Sequence, residues 1–177
     1  MKRFYLSVLF LCSFGSLFAG GPSFAFCDYS QGKVFIQENG EIVWEHKAPD
    51  SNDIWVLPNK NILFTAGKEV LEVSRKNDTI FHYTSESNIF ACQRLKNGNT
   101  FIGECDNGRL LEVSPDGSIV KDVSILPFGV KTGGHAFMRN ARCLDNGHYL
   151  VAHYGGKSVV EYDENGKAAW NLSLIHI

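Results

Sequence analysis

Apolar residues in this chain fall into short runs separated by polar turns, and three of these stretches can be laid over one another. Leu57-Pro-Asn-Lys-Asn-Ile-Leu-Phe64, Leu95-Lys-Asn-Gly-Asn-Thr-Phe-Ile102 and Leu144-Asp-Asn-Gly-His-Tyr-Leu-Val151 each read as a strand end, a polar turn and a new strand. Asn-Gly at 97–98 and 146–147 supplies the positive φ that tight hairpins demand. A second strand follows each: Val70-Leu-Glu-Val73, Leu110-Leu-Glu-Val113 and Val159-Val-Glu-Tyr162. Another polar turn then leads to a fourth short strand, Thr79 to Tyr83, Ile119 to Val123 and Ala168 to Leu172. Val34 to Trp44 has the spacing of Val160 to Trp170, so the N-terminal part supplies the later half of the same unit, with Phe24 to Asp28 as its first strand.

The unit therefore has four strands, A to D, joined by three hairpins. It recurs after 38 residues between Leu57 and Leu95 and after 49 between Leu95 and Leu144, the extra length lying in an insert from Leu126 to Phe137. Four-stranded units of this period predict an all-β fold, a β-propeller of antiparallel blades. A helical solenoid would need 3.6-residue periodicity and a sandwich Greek-key spacing, and neither is present. The chain supplies strands B to D and then A to D three times, just under four blades. Ser173 to Ile177 fits no repeat position and resembles a read-through ending. The expectation is an incomplete propeller, truncated at the C-terminus, with missing C-terminal blades or a second chain needed to close the ring.

Composition adds the compartment. Lys2 and Arg3 precede an apolar stretch from Phe4 to Phe18, followed by Ala19, Gly20 and Gly21. This is the pattern of a secretory signal, and the stretch is shorter than a bilayer span needs. Cleavage after Ala19 or Ala25 fits the small-residue rule, and a membrane anchor is the alternative. The expected divisions are 1–19 as signal, 20–172 as the partial propeller and 173–177 as a tail. A secreted or periplasmic protein with no membrane span after signal removal follows. Of five cysteines, Cys27, Cys92, Cys105 and Cys143 would remain. Pairing Cys92 opposite Gly103 leaves Cys105 diagonal to it, beyond ordinary disulfide reach, so packed free thiols are expected. The net charge of −2 gives nucleic acid no general attraction.

Gly40-Glu-Ile-Val-Trp44 and Gly166-Lys-Ala-Ala-Trp170 resemble the Gly-x-x-x-Trp end of the quinoprotein-type (PQQ-like) propeller repeat, in which the Trp docks one blade on the next. Asn52-Asp-Ile-Trp-Val-Leu-Pro-Asn-Lys-Asn-Ile-Leu63 is similar to the repeat of arylsulfotransferase-like propellers, with Asn52 where that pattern has His. The likeness covers nearly all of Phe24 to Leu172. It implies the fold and leaves the chemistry open, because such motifs specify architecture more than activity.

In this topology the D–A and B–C loops line one mouth of the ring, and the A–B and C–D turns lie on the opposite face. The mouth then holds Asp28, Asn52, Asp53, Glu86, Asn88, Glu104, Asp106, His135, Arg139 and His153. His135 ends the long insert on Gly133-Gly134, where an imidazole can serve as base or ligand. Arg139 opens the next A strand, with Arg94 and Arg142 on A strands as well, and a guanidinium fork there suits a carboxylate or sulfate. Each Arg can equally be a structural partner of Glu104, Asp53 or Asp106. Glu104 and His153 occupy matching positions one blade apart. No metal signature and no cofactor fingerprint is present. Two functions follow. One is an exported propeller binding a small anionic or carbohydrate-like ligand, or a protein partner, at the mouth through Asn52, Asp53, Asn88, Glu104, Asp106 and His153. The alternative is a propeller enzyme of the transferase, hydrolase or quinoprotein kind, with His135 and Arg139 as its catalytic residues.

Overall fold

The computed structural model describes residues 21–125 and 136–173. Every regular element among them is a strand, and the strands form four antiparallel sheets in chain order. Sheet 1 holds β1 (Phe24–Asp28), β2 (Lys33–Glu38) and β3 (Glu41–Lys47). Sheet 2 holds β4 (Ile54–Val56), β5 (Ile62–Ala66), β6 (Glu69–Val73) and β7 (Thr79–Thr84). Sheet 3 holds β8 (Ile89–Arg94), β9 (Thr100–Glu104), β10 (Arg109–Val113) and β11 (Ile119–Ser124). Sheet 4 holds β12 (Asn140–Cys143), β13 (Tyr149–His153), β14 (Ser158–Tyr162) and β15 (Ala168–Ser173). Each sheet is a simple meander, so the A-to-D reading of the sequence holds, with β15 running one residue past Leu172. Among the described residues no helix is long and apolar enough to cross a membrane.

Burial shows why the strands read as they do. The sheets stack face to face, so an inner strand with a neighbour on each side is buried on both faces. Every residue of β5 and of β9 is buried. In sheet 4 the same strands alternate, because β13 and β14 are covered only on the side of sheet 3. Three apolar layers result. Val34, Ile36 and Trp44 meet Ile62, Phe64 and Val73 between sheets 1 and 2. Leu63, Val70 and Phe81 meet Ile89, Cys92 and Ile102 between sheets 2 and 3. Phe101, Leu110 and Val123 meet Tyr149, Val151 and Tyr162 between sheets 3 and 4. Gly103 lets the last pair approach closely, since a Cβ there would stand 2.9 Å from Met138 Sδ and 3.2 Å from the Ala91 Cβ.

Trp44 and Trp170 part company for the same reason. Trp44 is buried against sheet 2, whereas Trp170 is half exposed on β15, whose outer flank carries no further sheet among the described residues. Their strands also differ in register: Trp44 pairs with Ile36 and Trp170 with Glu161.

The turns correct one detail of the sequence reading. Asn-Gly at 97–98 and 146–147 does not form a two-residue hairpin. Leu95 N–H bonds to Asn99 O and Gly98 N–H to Leu95 O, with the same pattern at Leu144, His148 and Gly147. These are three-residue loops in which only the last residue takes positive φ, 90° at Gly98, 86° at Gly147 and 69° at Lys60. Asn39-Gly40 is the true two-residue turn, with both residues at positive φ between paired Glu38 and Glu41. Cys92 lies opposite Ile102, and Ala91 opposite Gly103, one place from the expected register because the three-residue loop pairs Leu95 with Asn99. Cys27, Cys92, Cys105 and Cys143 form no disulfide with one another, and Cys105 Sγ donates to Met138 O. Burial pushes the Cys105 thiol up to about 11 and Cys92 well above its ordinary value, which leaves both inert.

Candidate functional site

The D–A and B–C loops gather at one end of the sheets. Ala48 N–H bonds to Gly32 O, Ser85 N–H to Lys68 O and Ile125 N–H to Gly108 O, so each D–A connection leans on the B–C loop of its own sheet. The A strands of sheets 2, 3 and 4 start here and converge. Asn52, Phe90 and Arg139 hold the same repeat position, five residues before Leu57, Leu95 and Leu144. They also meet in space. Arg139 Nη1 donates to Asn52 Oδ1 at 2.6 Å, and its guanidinium carbon lies 5.3 Å from the Phe90 ring centre. Asn52 Nδ2 donates in turn to Asp50 O, and Asp50 takes the left-handed φ of 54°. The Tyr29 phenol, beside the Asp50 carboxylate, is held above its ordinary pKa by it, with Arg139 pulling the other way. Arg139 is exposed and has no carboxylate partner among the described residues.

One layer deeper the same strands are locked. Arg142 donates to both oxygens of buried Asp53, at 2.7 and 3.0 Å, and lies 5.0 Å over the Trp55 ring. Cys92 N–H donates to Asp53 Oδ2 at 3.0 Å. Burial raises the Asp53 pKa, against the downward pull of Arg142 and of the Cys92 amide. Gln93 makes a reciprocal pair with the Cys143 backbone, its amide standing in for a strand edge. Arg94 is taken up by Glu72, at 2.6 Å, and by Gly98 O.

The other expected site residues sit between sheets. Glu104 is buried and accepts from Ser85 Oγ at 2.6 Å, Tyr83 OH, Arg109 Nη1 and Asn107 Nδ2. Asp106 Oδ2 accepts both the backbone and side-chain N–H groups of Asn88, and Asp106 N–H bonds to Ser87 Oγ. His153 is buried, with Nδ1 at 2.5 Å from Phe137 O and Nε2 at 2.8 Å from Tyr162 OH, so both ring nitrogens are engaged. Burial lowers its pKa. Glu104 and His153 share no contact and serve different layers. Asp28 holds its own loop through Ser30 and Gln31. His135 lies outside the described residues. Among the described residues no three His, Cys, Asp or Glu side chains gather as a metal site.

Sequence reasoning missed Phe90, which at a strand start reads as core. The repeat register finds it, since it is the one position shared by Asn52 and Arg139. It also missed the role of the C-strand glutamates on the opposite face. Glu72 accepts from Asn61, Glu112 from Asn97 and Asn99, and Glu161 meets His148 at 2.7 Å.

Four-stranded meanders stacked face to face, with their A strands converging, define the β-propeller fold. Solved propellers superpose on the chain: a streptogramin B lyase (TM-score 0.65, 16% identity, over 86% of this chain and 51% of that one) and virginiamycin B lyase from Staphylococcus aureus (0.64, 13%, over 89% and 54%). BamB from Moraxella catarrhalis does so as well (0.58, 14%, over 84% and 45%). At these identities the likeness shows the fold alone. The chain spans about half the length of the solved structures it matches. No family model and no curated protein matches the sequence.

Proposed function

We propose that the chain is an exported binding propeller of the quinoprotein-like repeat type, whose mouth takes a small anionic or carbohydrate-like ligand or a protein loop. The observation that carries this reading is Arg139. It is an exposed cation at the convergence of three A strands, steadied by Asn52 and Phe90 and by no carboxylate among the described residues. A guanidinium oriented by a neutral amide and an aromatic face keeps donors for an incoming anion. Asn88 and Asp106 mark the neighbouring interblade loop at the same mouth, while Asp53, Glu104 and His153 hold its walls. Residues 1–19 direct export to the periplasm or the exterior. Ring closure comes from further blades or a second chain on the outer flanks of sheets 1 and 4. The enzyme reading depends on His135 acting beside Arg139.

A screen of small sulfates, phosphates, carboxylates and acidic sugars by thermal shift and titration tests the proposal. Arg139→Ala is expected to weaken a bound anion about tenfold or more, the worth of one charge-assisted contact. The melt of the free protein should barely move. Unchanged affinity with a large loss of stability would make Arg139 a structural residue.

A further inference from the structure

Asp50 departs from the repeat in a way that an anion site at the mouth does not explain. It stands two residues before Asn52, where the other D–A connections carry Asn88 and Phe137. Those two are tied into their blades: Asn88 is held by Asp106, and Phe137 is fully buried. Asp50 is exposed and takes φ 54°, the left-handed region that Asp tolerates better than most residues. It forms no ion pair among the described residues. Lys33 and Lys47 share a cleft with it, but Lys33 is taken by Glu45 at 2.7 Å and Lys47 makes no ion pair with it.

Arg139 is the matching cation, and Asn52 stands between the two. Asn52 Oδ1 accepts from Arg139 Nη1 at 2.6 Å, and Asn52 Nδ2 donates to the Asp50 carbonyl at 2.8 Å. Asn52 is itself anchored, its backbone N–H donating to Thr65 Oγ1 at 2.9 Å. The guanidinium and the Asp50 backbone are thus two hydrogen bonds apart across one fixed amide, yet the guanidinium and the Asp50 carboxylate do not pair. Asp50 and Asn52 lie on the connection from sheet 1 to sheet 2, between blades and not on an outer flank. Tyr29 stands next to the acid. It is 62% exposed, its phenol lies beside the Asp50 carboxylate, and it feels the charge of Arg139 as well. A carboxylate with an aromatic ring beside it suits an ammonium group, and a guanidinium backed by an amide suits a carboxylate.

We propose that the mouth takes a small zwitterion of the amino-acid type, with its carboxylate on Arg139 and its ammonium group on Asp50 beside Tyr29. The assignment rests on the mouth reading for Arg139 and narrows its ligand from an anion in general to a carboxylate that also carries an ammonium group.

The probes are glycine, β-alanine, γ-aminobutyrate and ε-aminocaproate, which hold the two charges at growing separations. Butyrate and butylamine are the single-charge controls, and sulfate tests the anion reading alone. All are titrated into the full chain by calorimetry and NMR. One or more of the amino acids should bind saturably and about fivefold or more tightly than either single-charge control, the worth of a second exposed charge contact. Asp50→Asn should abolish that advantage and leave sulfate binding unchanged. The melt of the free protein should not move, because the carbonyl that Asn52 uses is kept and Asn tolerates the same φ. Tyr29→Ala should weaken the amino acid about threefold. Arg139→Ala should weaken amino acid, butyrate and sulfate together. An amino acid no tighter than butyrate, or an advantage that survives Asp50→Asn, overturns the zwitterion, while sulfate binding lost with Arg139→Ala keeps the mouth reading. Amino-acid binding that Asp50→Asn removes and Arg139→Ala leaves untouched overturns both.

Discussion

The two ends of the stacked sheets are built from the same repeat and have diverged in opposite ways. At the turn end every full blade solves the same problem with the same parts. A C-strand glutamate, Glu72, Glu112 or Glu161, takes up side chains from its own A–B turn, and a residue of positive φ closes each three-residue loop. At the mouth end, equivalent positions carry unlike residues. Asn52, Phe90 and Arg139 share one place in the repeat. Ala66, Glu104 and His153 share another, and Gly32, Gly108 and Lys157 a third. Where the repeat is kept, polar groups are satisfied within the blade. Where it is broken, partners come from other blades, as with Arg142 on Asp53, or are missing among the described residues, as at Ser158. Regularity marks what folding needs, and departures from it mark what is specific to this chain.

The largest effect should come from the tie below the mouth. Asp53→Asn breaks a bidentate pair and leaves Arg142 without its anion. Breaking a buried pair costs several kcal/mol, and because Arg142 keeps one third of its surface in water a loss of about 2–4 kcal/mol is expected in denaturant melts. A loss below about 0.5 kcal/mol would show that the A strands are held by apolar packing alone.

At the turn end, Glu112→Ala should cost about 1–2 kcal/mol, since two asparagine amides lose their acceptor. Glu72→Ala should cost more than Glu112→Ala, because Arg94 is stranded too. Equal costs would mean that the interblade ion pair adds nothing to the repeat network.

pH separates the ends further. His153 is buried and neutral, with a lowered pKa, so the unfolded chain takes up its proton first, near pH ~6.5. Its contribution to stability is complete above that pH and is lost as the pH falls below it. Melting temperatures from pH 8 to 5 should drop below about pH 6.5, and His153→Gln should flatten that part of the curve. A wild-type curve flat through this range would contradict the burial of a neutral ring. The smallest effect is predicted for Lys96→Ala. The Lys96–Asp145 pair is 86% exposed on both sides and should contribute under about 0.5 kcal/mol.

The sequence made the strands legible because the repeat aligned Leu57, Leu95 and Leu144 with turn residues between them. Loop length was less legible. Asn-Gly suits both two-residue and three-residue turns, and only the pairing of flanking residues such as Leu95 with Asn99 decides between them. The cysteine register moved with it, because a third loop residue sets Cys92 opposite Ile102 and not Gly103. The mouth was readable as a place and not as a set of contacts. Spacing put Glu104 and His153 there, but Ser85, Arg109 and the Phe137 carbonyl, which occupy them, come from neighbouring loops and strands whose approach no local pattern encodes. Phe90 was hidden because an aromatic ring at the start of an inner strand looks like core until its repeat partners are seen to be Asn52 and Arg139.

The proposal stands or falls on a division at the mouth, with Arg139 free for binding and the Asp53–Arg142 tie below it serving the fold. Paired denaturant melts of Arg139→Ala and Asp53→Asn, two substitutions one layer apart at the same end, decide it. A change within about 0.5 kcal/mol is expected for Arg139→Ala, as for an exposed residue with no ion pair among the described residues, against the loss of about 2–4 kcal/mol for Asp53→Asn. An Arg139→Ala loss as large as that of Asp53→Asn would contradict it and return Arg139 to the frame of the fold.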